Sequence, residues 1–475
     1  RSYADPDFVL FGKSGVLVLE NKYQPDGSRT LIPMTTDEFK GLQDVSAAIL
    51  VDFDHDKDLD LVLGTGEGVR LFLSRGNLSF FDYTRFSVLP SGRVTSFDIV
   101  DFDRDIDIDV IFSRDSDSPG YLENLGHGRF RYREFEGLPA GITRTSGVSV
   151  LDVDGNRSWD WVGNIDQKNS LLGTTRTGPS LVNTQDIIRL DSGNSGGNRV
   201  LDLNNDGFSD VLQLGDGPTG LLLGNGETLV PQPLVASSSD SGTETVFAWS
   251  DCDYDDFDGD GRLDLVGLSG DGKKVEILRN TTDTANNWFA VSVCGINSNF
   301  PKGRVNNHAV GTFVEVTSGD RYMAQTVRKP RLHFGLGTHE QVDLMRFLWT
   351  SGMPQSIFRA RSGQMVYEEM FEKGSCPYIY TWNGKQFTFF SDCLWAAPLG
   401  LQYAPGQMIP CRSWEYLKIP GDYLKPKEGE YVLQLTEELR EAAYFDLVEL
   451  YAVDHPANID IFTNEKVGPP SIAEH

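Results

Sequence analysis

Cysteine is scarce in this chain, with five in 475 residues: Cys252, Cys294, Cys376, Cys393 and Cys411. None stands in a C-x-x-C arrangement, which excludes a zinc knuckle and a thioredoxin-type redox pair. The odd count leaves a thiol that stays unbridged or pairs between chains. Cys376 with Cys393, or Cys393 with Cys411, would close a short loop contributing ~3 kcal/mol, with buried thiols as the alternative. Histidine is also sparse, at seven, and no H-E-x-x-H occurs. No run of 18 apolar residues exists, so no segment reads as a membrane-spanning helix. Basic charge is in deficit, 42 Lys plus Arg against 69 Asp plus Glu, for a formal net charge of −27. Such a surface repels phosphate backbones and anionic lipid, which argues against nucleic-acid and membrane-surface partners. The chain opens at Arg1 without Met or an apolar leader; the expectation is a removed leader or a start further upstream. What remains, 39% apolar and 11% aromatic, is a globular composition long enough for more than one domain.

The acid is patterned. Five segments align: VDFDHDKDLDLVLG from Val51, VDFDRDIDIDVIFS from Val100, LDVDGNRSWDWVGN from Leu151, LDLNNDGFSDVLQL from Leu201 and DDFDGDGRLDLVGL from Asp255. Their leading acids, Asp52, Asp101, Asp152, Asp202 and Asp256, are spaced by 49, 51, 50 and 54 residues, a period that marks a repeat architecture. A cut-off sixth copy opens the chain, because Asp7 in DPDFVLFG lies 53 residues before Asp60.

Each copy has the form D-x-D/N-x-D/N-x-x-x-D. Loop one offers Asp52, Asp54, Asp56 and Asp60; loop two Asp101, Asp103, Asp105 and Asp109; loop three Asp152, Asp154, Asn156 and Asp160. Loop four offers Asp202, Asn204, Asp206 and Asp210, and loop five Asp256, Asp258, Asp260 and Asp264. All these side chains end in oxygen and none brings nitrogen or sulfur as a ligand atom, which favours a hard cation, Ca²⁺, over zinc or copper. So many carboxylates on one short loop repel one another unless a cation joins them. The alternative is a solvated acidic turn; five copies in register favour up to five Ca²⁺ sites. Position 6 is Gly in loops four and five but Lys57, Ile106 and Arg157 in loops one to three, which implies weaker binding there or one empty loop. Helix-flanked calcium hands are excluded, since position 12 is Leu63 in the first copy where those carry a bidentate Glu. Short apolar runs precede and follow every loop (SAAILV, LVLG, VIFS) and read as buried strands. Four such strands per repeat make one blade of a β-propeller.

These copies resemble the FG-GAP/VCBS repeats of integrin-α-type propellers, in which the D-x-D-x-D-G-x-x-D loop joins the first two strands of a blade and holds calcium. The resemblance covers residues 1–285. It implies an all-β, calcium-binding propeller of six or seven blades, the first incomplete. From residue 286 the motifs Asn287-Trp288, Val310-Gly311, His333-Phe334-Gly335-Leu336-Gly337 and Trp349-Thr350-Ser351-Gly352 resemble the ASPIC/UnbV domain over residues 286–370. Thr350 stands where that family usually has Pro. The order propeller then ASPIC/UnbV resembles the cartilage acidic protein family and many bacterial secreted proteins. Residues 371–475 read as a β-rich C-terminal module. In it, Asn383-Gly384 between alternating aromatics signals a two-residue hairpin, and YVLQLTEEL and YFDLVELYAVD read as strands, with one or two helical turns over 437–443 as an option. An EGF-like cysteine pattern is missing from this tail, which favours a bacterial envelope or secreted protein over an animal one.

Enzyme motifs are weak. Gly193-Asn194-Ser195-Gly196-Gly197 fits G-x-S-x-G but lies in a Ser/Gly-rich connector, where a nucleophile elbow needs a strand and a helix. Gly267 to Lys273 falls short of a phosphate loop, because Lys274 replaces Ser/Thr and a strand follows. His333 and His339 read as structural, with a general base or ligand as the alternative. Trp382 and Phe387–Phe390 read as core packing, with sugar stacking as the alternative. The expectation is a non-catalytic, calcium-stabilised recognition or scaffold protein, secreted or periplasmic, binding a protein or glycan partner. The alternatives are a structural or accessory subunit of a larger envelope assembly and an enzyme or biosynthetic accessory protein.

Overall fold

A computed structural model describes residues 7–24, 26–34, 37–115, 117–126, 128–135, 138, 142–166, 168–175, 178–181, 197–215, 217–234, 236–237, 244–295, 305–370, 377–394, 402–409, 414–436, 445–456, 458–461 and 463. Among them the architecture is all-β. The helical elements are two short 3-10 turns, Asp37–Phe39 and Thr84–Phe86.

Among the described residues six antiparallel sheets of three or four strands follow one another over the repeats, with a two-stranded pair, Ala236–Ser237 and Glu244–Thr245, ahead of the sixth. The second, Val45–Val51, Asp60–Thr65, Val69–Ser74 and Phe80–Asp82, shows the pattern: four strands in sequence order, each paired with the next. The third (Val94–Val100, Asp109–Arg114, Asp117–Asn124, Phe130–Glu134), the fourth and the fifth repeat it. The first sheet has three strands, Phe8–Gly12, Gly15–Tyr23 and Arg29–Met34, with Asp7 just ahead of them. The sixth also has three, Trp249–Asp255, Asp264–Ser269 and Val275–Leu278. The opening strands of sheets one to five lie against one another, so these sheets radiate from a common centre as propeller blades do.

Burial explains the sequence pattern. The second strand of a blade is covered on both faces, and Asp60–Thr65, Asp109–Arg114 and Asp160–Ile165 are buried at every position. Hence the runs LVLG and VIFS are continuous rather than alternating. Between blades lie separate apolar layers: Val51, Phe53, Leu71, Val110 and Phe112 between sheets two and three, and Val100, Ile111, Val150 and Trp161 between three and four.

Two further sheets follow. Asn287–Cys294 pairs antiparallel with Arg331–Gly337 and parallel with Gln364–Glu369; Phe313–Ser318 lies between Arg321–Thr326 and Gln341–Leu348, with Pro354–Arg361 outermost. They enclose one core containing Phe289, Val314, Phe334, Phe347 and Trp349. Farther on, Tyr378–Trp382 pairs with Phe387–Asp392 and Leu433–Thr436.

Two expectations for this tail change. The Asn383-Gly384 turn is shifted by one residue: Asn383 N–H donates to Gln386 O, so Gly384-Lys385 forms the tip. The Asn383 side-chain oxygen accepts from Lys385 and Gln386 N–H at 2.9 and 3.0 Å, which favours that register. Residues 445–454 of the expected YFDLVELYAVD strand form no ladder among the described residues, and Leu447 and Tyr451 are 73% and 66% exposed. A strand needs a facing edge as well as propensity, and none of the described residues offers one to this segment. Residues 437–444, Cys376, Cys411 and Gly193–Gly196 lie outside the described residues. Cys252, Cys294 and Cys393 are buried.

Candidate metal-binding loops

The five acidic loops share one geometry. Each is closed by a pair between the residue before position 1 and position 9: Val51 with Asp60, Val100 with Asp109, Leu151 with Asp160, Leu201 with Asp210 and Asp255 with Asp264. Positions 4 and 6 are left-handed throughout. Glycine takes this conformation without strain, but Lys57, Ile106 and Arg157 hold φ of +82°, +84° and +69° at position 6. Loops one to three therefore adopt the glycine-loop shape at a conformational cost.

Carboxylate hydrogen bonds hold that shape. At position 1, Asp52 accepts from Asp56 N–H and Lys57 N–H at 3.1 and 3.0 Å, and Asp101, Asp152, Asp202 and Asp256 repeat the pair. Position 5 accepts the N–H two residues on, as Asp56 does from Asp58 and Asp260 from Arg262. Position 9 joins two strands. Asp60 Oδ2 accepts Phe53 N–H at 3.0 Å, and its Oδ1 accepts Ser74 N–H at the end of the third strand at 2.7 Å. Asp109, Asp210 and Asp264 do the same, and Asp7 accepts Asn21 N–H at 2.9 Å. Thus Asp7 performs in the first sheet part of what Asp60 performs in the second.

The loops gather oxygens. Carboxylate oxygens of Asp52, Asp54 and Asp60, of Asp101, Asp103 and Asp109, and of Asp152, Asp154 and Asp160 lie within 4.8 Å of one another, as do those of Asp256, Asp258 and Asp260. Positions 1, 3 and 9 therefore converge in loops one to three, and positions 1, 3 and 5 in loop five. Loop four sets Asn204 between Asp202 and Asp206, its amide donating to Asp206 at 2.9 Å. These groups can hold a metal ion, and an all-oxygen donor set suits a hard one.

Electrostatics point the same way. Burial, with repulsion from neighbouring carboxylates, raises Asp54, Asp60, Asp109 and Asp202 well above the usual carboxylate range. Burial carries Asp101 to about 8, Asp152 to about 6 and Asp210 to about 7. In every case the loss of hydration outweighs the backbone donors. Loop five differs: Arg279 Nε lies 2.5 Å from Asp258 Oδ2, and Arg262 pairs with Asp260.

Tertiary contacts link loops one to three to one another, and loop four to loop five. His55 at position 4 of loop one lies 2.7 Å from Asp107 in loop two. Arg104 of loop two donates to Arg157 O of loop three at 2.6 Å, and Asn205 of loop four to Gly261 O of loop five at 2.9 Å. Nothing in the single repeat marks position 4 for this role; aligning the copies would have, since it is His, Arg or Asn in these three and Gly in the others. The other sequence candidates resolve simply. Gly267–Lys273 belongs to a hairpin between Asp264–Ser269 and Val275–Leu278. Trp382 meets Phe387 edge-on with the Lys427 ammonium over its ring. His333 is buried and held near 4 by burial, and His339 lies 2.9 Å from Asp320.

Fold and loops define a β-propeller with acidic blade loops, joined to a second β domain. Residues 52–112 match the FG-GAP-like repeat, and residues 302–367 match the family described as ASPIC and UnbV. The chain thus carries an FG-GAP-like repeat followed by an ASPIC and UnbV domain. No curated protein matches it. Similar solved structures include an Agrocybe aegerita lectin described as recognising non-reducing terminal N-acetylglucosamine, at 20% identity over 58% of this chain and 73% of that one, TM-score 0.38. Another is the V. cholerae biofilm matrix protein Bap1, at 12% identity over 68% and 61%, TM-score 0.31. A Lactobacillus plantarum protein shares 10% identity over 73% and 92%, TM-score 0.33. At these TM-scores the likenesses carry no functional argument.

Proposed function

We propose that the protein is a calcium-stabilised recognition or scaffold protein of the extracellular or periplasmic space, without catalytic activity of its own. The convergence of carboxylate oxygens in four loops, with Asp52, Asp60, Asp109 and Asp160 buried, carries this reading. The FG-GAP-like match supports it, since repeats of this kind commonly bind calcium. Asp52, Asp54 and Asp60 and their counterparts, Asp264 among them, supply ligands, with Asp56, Asp105, Asn156, Asp206 and Asp260 completing the sets. Each ion binds the folded loop and not the unfolded chain, so at free calcium ~100 times the dissociation constant each site adds ~2.7 kcal/mol. High free calcium outside cells suits this design. The rigid ring then presents its loops to a protein or glycan. Exposed apolar residues over 447–453 (Leu447, Val448, Leu450, Tyr451, Val453) favour a second reading, a subunit of a larger assembly.

Three measurements test this. Calcium should raise the melting temperature by many degrees over EDTA; identical melts would overturn the calcium reading. A glycan array and a cross-linked pull-down from the native source should each be run with calcium. Capture of a glycan or a stoichiometric protein supports recognition, and turnover of a substrate by the pure chain would replace it with an enzyme.

A further inference from the structure

The second β domain is built onto the acidic loops, and its signature motifs are the parts that touch them. His333 Nε2 lies 2.7 Å from Asn205 Oδ1 at position 4 of loop four. Gly337 N–H donates to Asn205 O at 2.9 Å. A Cβ at Gly335 would stand 2.1 Å from Asp202 Oδ2, so only glycine lets this strand approach the loop. Trp288 stacks on His333 at 5.7 Å and lies over loop five, where a Cβ at Gly261 would be 1.8 Å from its Nε1. Val310 joins the apolar layer of blades two and three beside Ile108 of loop two. Trp159 of loop three meets Phe313 edge-on at 5.4 Å. A basic turn completes the joint. Arg328 donates to Asp98 at 2.8 Å and to Ile99 O and Val150 O, on the opening strands of blades three and four, and Lys329 Nζ lies 3.0 Å from Asp253 on that of blade six.

We propose that the His333–Gly337 strand is a clamp seated on loop four, so that ion occupancy of that loop and docking of the second β domain are one linked equilibrium. The proposal rests on the calcium reading above, extended to loop four through its oxygen donors Asp202, Asn204, Asp206 and Asp210. Position 1 and position 4 of loop four are adjacent in one tight turn; the ion would fix the first and the clamp grips the second. An ion that orders the loop therefore strengthens the clamp, and by reciprocity the clamp strengthens the ion. The second domain then acts as a reader of the propeller's calcium state, and a partner spanning both would be held only when calcium is present.

Hydrogen exchange of the full chain with and without calcium tests this, together with calcium titration by calorimetry on wild type, His333→Ala and Asn205→Ala. Calcium should protect amides in loop four and also in Arg331–Gly337. In either variant the protection of that strand should vanish and one site should weaken at least 5-fold. Protection of the loops with no change over Arg331–Gly337, or unchanged affinity in both variants, would overturn the clamp and leave the calcium reading intact. No protection of any loop would overturn both. A double-mutant cycle of the same pair in EDTA should show non-additive denaturation midpoints; additivity would dismiss the contact as idle.

Discussion

Replacing Asp54 by Asn should change the sign of its effect with calcium. Oxygens of Asp52, Asp54 and Asp60 lie within 4.8 Å. At an effective dielectric of ~20, each charged pair at that separation repels by ~3 kcal/mol. Asp54→Asn removes two of the three repulsions and keeps the oxygen that accepts Asp56 N–H at 3.3 Å. Asn204 already occupies the matching position of loop four, so the backbone tolerates the amide. Wild type relieves part of the strain by taking up protons, since burial and Asp56 raise Asp54. The net gain in EDTA at pH 8 is then ~2 kcal/mol, or a rise of ~4 °C in melting temperature at ~2 °C per kcal/mol for a domain of this size. In excess calcium the variant lacks one anionic ligand. A tenfold weaker site loses ~1.4 kcal/mol, and the missing cation-free penalty no longer offsets it, so the variant should melt a few degrees below wild type. Scanning calorimetry in EDTA at pH 8, in EDTA at pH 5 and in millimolar calcium reads all three. At pH 5 the EDTA difference should shrink. A variant less stable in EDTA at pH 8 would refute the idea that the loop carboxylates are strained without an ion.

The remaining expectations are simpler. Asp101, Asp152 and Asp210 have folded-state values raised to about 8, 6 and 7 from 3.8, so the folded chain holds more protons than the unfolded one in that interval. In EDTA, stability should therefore be greatest near pH 4 and fall as pH rises towards 8, and the gain from calcium should grow over the same range; a flat calcium effect in pH-dependent melts would contradict this. Arg328→Ala leaves buried Asp98 without its charged donors and should cost about 2–3 kcal/mol, seen as a lower denaturation midpoint; a wild-type midpoint would show the basic turn to be ornamental. Ile106→Gly relieves a β-branched residue at φ +84°, worth ~1–2 kcal/mol, against a glycine entropy cost of ~0.5–1 kcal/mol. Its melting temperature should hold or rise by up to ~2 °C, and a clear fall would mean the half-buried side chain matters more than the backbone.

The repeat was legible because it rests on local chemistry. Acidic side chains at positions 1, 5 and 9 are placed by backbone N–H groups a few residues away, so their spacing survives in any single copy. Buried second strands read as apolar runs because both faces are covered by neighbouring blades. Even the three-stranded first sheet announced itself through Asp7. Other features depend on partners far along the chain. Position 4 becomes a link only when loops lie side by side, the Asn205–His333 contact joins residues 128 apart, and Arg328 finds Asp98 across 230. Residues 445–454 carry strand-forming composition but meet no sheet edge and form no ladder among the described residues. Composition and spacing thus decided that acidic loops and blades would form. Only the tertiary packing decided that the second domain's motifs rest on those loops, because pairing across space depends on which surfaces the closed sheets leave facing one another.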